Sequence, residues 1–138
     1  MIDLITLVYR PEMPFLELQA KSIETYFEDN FINSITVVVN DDDSVCELIN
    51  KSWWGKYQHL VSIVPYSTAS HSNQTWSMIL DAKTLFVKSC TPALMFTGNK
   101  ANTKPLGVFP EFVEAKQSVQ NMFDISIEQT VGPCGVPF

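Results

Sequence analysis

The chain has 138 residues, 46% of them hydrophobic and 17% charged, including 9 Phe and 3 Trp. A chain this long and apolar can bury a core without disulfides or metals, which excludes disorder and fits one domain over residues 1–138, on its own or as part of something larger. The net charge of -6, with a pI near 4.7 and no basic stretch, excludes nucleic acid as an expected partner.

Ile2 to Tyr9 is an apolar, β-branched run closed by Arg10-Pro11, the pattern of a strand buried on both faces. Pro14 opens a segment in which Phe15, Leu16, Ala20, Ile23, Tyr26 and Phe27 recur at helical spacing, with Glu17, Lys21, Glu24 and Glu28 opposite. An amphipathic helix is predicted there. Ser34 to Asn40 is a second two-faced strand, and Asp41-Asp42-Asp43-Ser44 caps a predicted helix through Val45, Leu48, Ile49 and Trp53. An acidic turn before a helix reads as a cap ahead of a metal site. Of Trp53 and Trp54, one is expected in the core and one partly exposed, and Trp54 has a sugar-stacking option.

Leu60 to Pro65 is a third apolar run, Thr68 to Gln74 a polar loop, and Trp76 to Leu80 a fourth strand running into Asp81-Ala82-Lys83. Strand and helix alternate, so the expected fold is α/β, a three-layer, mostly parallel sheet with helices on its faces. Ser67 to Thr75 is short for a parallel crossover, which usually takes about a dozen residues and a helix, so either the third and fourth strands are not neighbours joined by a standard unit or a helix is absent. Thr97 to Pro105 reads as an exposed loop and Pro110 to Phe123 as a helix; the tail from Val131 has too many breakers for a regular element.

A polar group at the carboxyl end of a buried strand opens into the crevice where α/β sheets bind ligands, without burying a charge. Asp81 occupies such a position. Its plainer reading is a turn cap, and for Lys83 it is a solvated lysine. An anionic substrate would need Arg10, Lys83 or Lys88. His59 and His71 have no informative partner, and no Gly-x-Ser-x-Gly, Gly-x-Gly-x-x-Gly or Walker loop occurs. The cysteines, Cys46, Cys90 and Cys134, form no CxxC or Cys/His pairing, so reduced thiols in a cytoplasmic protein are expected. The first ten residues lack a basic leader region, and no apolar run approaches about 18 residues; neither export nor a membrane span is expected.

Three strand ends, Thr-Leu-Val-Tyr-Arg-Pro-Glu, Val-Val-Val-Asn-Asp and Met-Ile-Leu-Asp-Ala-Lys-Thr, together resemble the amino-terminal part of a GT-A-type glycosyltransferase-like family, over roughly residues 1 to 90. The resemblance implies a nucleotide-sugar donor, an acceptor it does not identify, and a bound Mn2+ or Mg2+. It puts Tyr9 and Arg10 beside the nucleotide, Asn40 and Asp41 near the ribose, and Asp81 at the metal and diphosphate, with Asp81 and Lys83 as catalytic groups. The family's metal motif is Asp-x-Asp, whereas the third residue here is Lys83, which can neutralise a phosphate oxygen itself. The alternative is a non-catalytic α/β interaction domain. Its sheet surface, exposed by the missing helix, would form a homo-oligomer or dock a protein partner.

Overall fold

The computed structural model describes residues 1–69 and 76–102. The chain divides into two compact units, Met1–Leu94 and Met95–Phe138. The helix expected over 110–123, the breaker-rich tail, His71 and Cys134 lie outside the described residues.

The first unit is built on a four-stranded parallel sheet in the order β3-β2-β1-β4. Its strands are β1 (Ile2–Val8), β2 (Ile32–Val39), β3 (Val61–Pro65) and β4 (Ser77–Asp81). Leu4 pairs with Ile35 and Met78, Thr6 with Val37 and Leu80, and Val8 with Val39. Because side chains alternate along a strand, this register puts Leu4, Val8, Ile35, Val37, Val39 and Leu80 on one face, and all six are buried. Each such side chain taken from water contributes about 1.5–3 kcal/mol.

One element over that face is helix α1 (Met13–Tyr26), entered through the 3-10 turn Arg10–Glu12 with Pro11 and Pro14 in first-turn positions. Leu16, Gln19, Ala20 and Ile23 form its buried stripe. The second element differs from the expected single helix from Val45 to Trp53. Two 3-10 segments, Asp43–Leu48 and Lys51–Leu60, take its place. Asp42 caps the first by accepting from the Ser44 amide at 2.8 Å, and Asn50 caps the second by accepting from Ser52 at 3.0 Å. Each cap restarts the backbone, and Gly55 then breaks the second segment at φ 49°. Apolar spacing alone does not register these interruptions.

Gly55 is where this segment locks onto α1. The Glu24 carboxylate lies against its α-carbon and accepts from the Lys56 amide at 3.1 Å. A side chain at Gly55 would collide with that carboxylate and strain the left-handed backbone. Trp54, one residue earlier, is fully buried with its indole N–H unpartnered among the described residues, so it is a core anchor and cannot stack on a sugar; Trp53 is the partly exposed ring.

In the second unit, the expected exposed loop from Thr97 begins instead as a small antiparallel hairpin, Phe96–Thr97 with Lys100–Ala101. Gly98, at φ 60°, supplies the positive φ of its turn. The Thr97 hydroxyl closes it on Asn102 Oδ1 at 2.7 Å.

Candidate functional site

The strand order decides where the sheet can hold a ligand. From β1 the chain steps outward to β2 and β3, then returns to place β4 on the other side of β1. The winding therefore reverses between β1 and β4, and the carboxyl ends of those two strands form the crevice that open α/β sheets use for binding.

Residues from three strand ends collect there. After β1, Tyr9 is half-exposed, and its carbonyl accepts from the Glu12 amide at 2.8 Å to set the 3-10 turn. After β2, the Asn40 amide donates to the Val8 carbonyl at 2.8 Å, holding the two strand ends together. Asp41 accepts from the Arg10 amide at 3.2 Å and from the Asp42 amide at 2.8 Å. Those amides, Asp42 first and then Arg10, hold the Asp41 carboxyl below the usual carboxylate range. Arg10 and Asp41 are thus held together at one corner, with Tyr9 and Asn40 next to them in the chain.

After β4, Asp81 accepts from the Lys83 amide at 2.8 Å, and the Asp81 carbonyl accepts from the Thr84 amide at 2.9 Å. Aspartate suits this turn because its carboxylate takes a backbone donor two residues on. That amide, reinforced by the Lys83 ammonium, depresses the Asp81 pKa. Ala82 is fully buried at the centre of the turn. Lys83 reaches back to Glu12, with Asp81 Oδ1 also 3.3 Å from its ammonium. The hydrogen bond to Glu12, followed by the one to Asp81, raises the lysine pKa and keeps it charged.

Two residues of the site carry no role in the sequence reading. Glu12 stands at the start of α1, where the helix dipole favours a carboxylate, and is buried although the lysine it holds is half-exposed. Gln19 is fully buried on α1. Its amide nitrogen donates to the Asp81 carbonyl at 2.7 Å and to the Thr84 carbonyl at 3.0 Å, while its oxygen accepts from the Thr6 hydroxyl at 2.8 Å. The two carbonyls fix which way the amide points. A polar side chain on the apolar stripe, three residues after Leu16 and four before Ile23, was the signal for Gln19. Glu12 had none, because an acid after a proline at a helix start is commonplace. Beyond the turn the chain is strapped along α1, with the Phe86 amide on Ser22 Oγ and the Cys90 amide on the Tyr26 carbonyl.

A cavity of about 520 Å³ lies at the opposite, amino end of the sheet, with Met1, Asp29, Ile32, Lys56, Tyr57 and His59 in its wall. Lys56 is bound to Asp29, and the Tyr57 hydroxyl donates to the Phe27 and Glu28 carbonyls at 2.9 and 3.2 Å. The Tyr57 hydroxyl is thereby committed to the fold, while the Lys56–Asp29 pair is exposed. Among the described residues, no group of three His, Cys, Asp or Glu side chains is placed to hold a metal, and no helix is long and apolar enough to cross a membrane. No family model, curated protein or solved structure matches the chain.

Proposed function

We propose that this chain is a GT-A-like domain that binds a nucleotide-sugar at the carboxyl ends of β1, β2 and β4, and that sugar transfer to an acceptor is its activity. The observation that carries this reading is the collection of Arg10, Asp41, Asp81 and Lys83 around the point where the winding of a parallel sheet reverses. The half-exposed Tyr9 ring offers a stacking surface for a base. Asn40 and Asp41 offer hydrogen bonds to a ribose. Lys83 faces the diphosphate, whose growing charge it would stabilise as the sugar leaves.

Binding to the native state must raise its stability, by about 2.7 kcal/mol at a hundredfold excess over Kd. UDP-sugars and GDP-sugars, with and without Mn2+, should therefore raise the melting temperature of the full chain, and Asp81→Ala should remove the response. A protein whose melting point none of these donors moves is not a nucleotide-sugar-binding domain.

The interaction-domain reading has its own support. Leu7 and Ile79 are exposed on neighbouring strands of the face opposite α1, Ile79 at 74%. Clustered apolar exposure favours self-association. A concentration-dependent dimer in sedimentation, together with indifference to nucleotides, would select that reading.

A further inference from the structure

The Asp-x-Asp motif of GT-A enzymes holds a divalent ion between two carboxylates and the donor diphosphate. Asp81 supplies one carboxylate here, and the residue at the partner position is Lys83. A second carboxylate does reach this place, but from the other side of the crevice: Glu12, 71 residues away in sequence. Glu12 and Asp81 converge on a single cation, and that cation is the Lys83 ammonium.

We propose that Lys83 is the resident cation of the donor site, with its ammonium bridging the two carboxylates to a diphosphate oxygen where a divalent ion would otherwise sit, and that Glu12 is the residue that positions it. The inference rests on the nucleotide-sugar reading above. An ammonium has three donors. Glu12 and Asp81 engage two, and no other acceptor among the described residues takes the third. Lys83 is half-exposed, so the remaining donor has access to a ligand.

A free lysine is a flexible point charge that must be ordered each time it binds. Glu12 removes that flexibility in advance. It is itself fixed by burial, at 7% exposure, and by its place in the 3-10 turn that ends at α1. The turn presenting Lys83 is fixed independently, because Gln19 holds the carbonyls of Asp81 and Thr84. Both ends of the bridge therefore hang from the amino-terminal half of α1. A divalent ion entering between Glu12 and Asp81 would have to expel the ammonium first, so the residues present do not fit a metal as the site's resident cation.

The test is calorimetric titration of the full chain with UDP and with GDP, in EDTA and in Mn2+. At least one diphosphate should bind in EDTA with an affinity that Mn2+ leaves within about twofold. Lys83→Met, and Lys83→Gln as a second variant should the first fold poorly, should weaken that binding by about tenfold or more, the worth of one charge-assisted hydrogen bond. Glu12→Gln, which keeps the shape and removes the charge, should weaken it less. Lys83→Asp restores a second carboxylate in the motif and should make binding depend on Mn2+, a gain that a merely structural lysine would not produce. Wild-type binding that disappears in EDTA would overturn the resident-cation inference and leave the nucleotide-sugar reading standing, as would binding indifferent to both Lys83→Met and Lys83→Gln. Absence of binding by either diphosphate or any nucleotide-sugar, in both buffers, would overturn the two together.

Discussion

The amino end of the sheet is hollow, and the carboxyl end is charged. At the amino end a cavity opens, where Lys56 meets a single exposed carboxylate, Asp29, and the Tyr57 hydroxyl is taken up by two backbone carbonyls. At the carboxyl end Asp41 and Asp81 are pinned by backbone amides, while the Lys83 ammonium is shared by two carboxylates, those of Glu12 and Asp81. The contrast separates two properties that are often equated, concavity and readiness to react. Closely wound parallel strands leave their reversal point at the carboxyl end, so convergent polar groups gather there whatever the shape of the surface.

Substitutions at the two ends can break or sharpen this contrast. The largest effect is expected for Gln19→Leu, which takes the partner from the Thr6 hydroxyl and the Thr84 carbonyl and leaves the Asp81 carbonyl with the Thr84 amide alone, around a buried position. A loss of about 3 kcal/mol follows from leaving such groups unpaired, seen as a fall in melting temperature of about 10 °C. Because the amide clamps the Asp81-Ala82-Lys83 turn, nucleotide stabilisation should fall with it. Retention of that stabilisation in a protein so weakened would detach the turn from the site.

Gly55→Ala acts next to the hollow end, one residue before Lys56 of its wall, through the left-handed backbone and the Glu24 carboxylate packed on it. About 1–3 kcal/mol of stability should be lost to strain, read by chemical denaturation, with nucleotide affinity per folded molecule unchanged. A change in that affinity would show that the ends are coupled. The smallest effect is expected for Asp29→Ala. Its pair with Lys56 is exposed, at 74% for the aspartate, so neither melting temperature nor nucleotide binding should move measurably. A clear binding loss from so remote and solvated a change would point to the amino-end cavity as the ligand site.

Legibility followed the range of the interactions. The four strands were readable as unbroken apolar runs, even though β4 buries only one of its faces, and α1 because its stripe repeats at helical spacing. The segment through Val45, Leu48, Ile49 and Trp53 reads as one helix because its apolar spacing matches a helix. The backbone there is instead set by two side-chain caps and a glycine. Within the site, Asp81 stood out as a strand end. Gln19 stood out only faintly, as one polar residue on a buried stripe.

The sequence by itself determined a parallel α/β sheet and put Tyr9, Arg10, Asn40, Asp41, Asp81 and Lys83 at strand ends, because these features depend on residues near one another in the chain. Only the tertiary structure decided that β4 lies beside β1, which makes those strand ends one crevice, and that Glu12 and Gln19 belong to it. Strand order is a choice among crossings that leave the same local pattern. A carboxylate meeting a lysine 71 residues away leaves no periodicity to read.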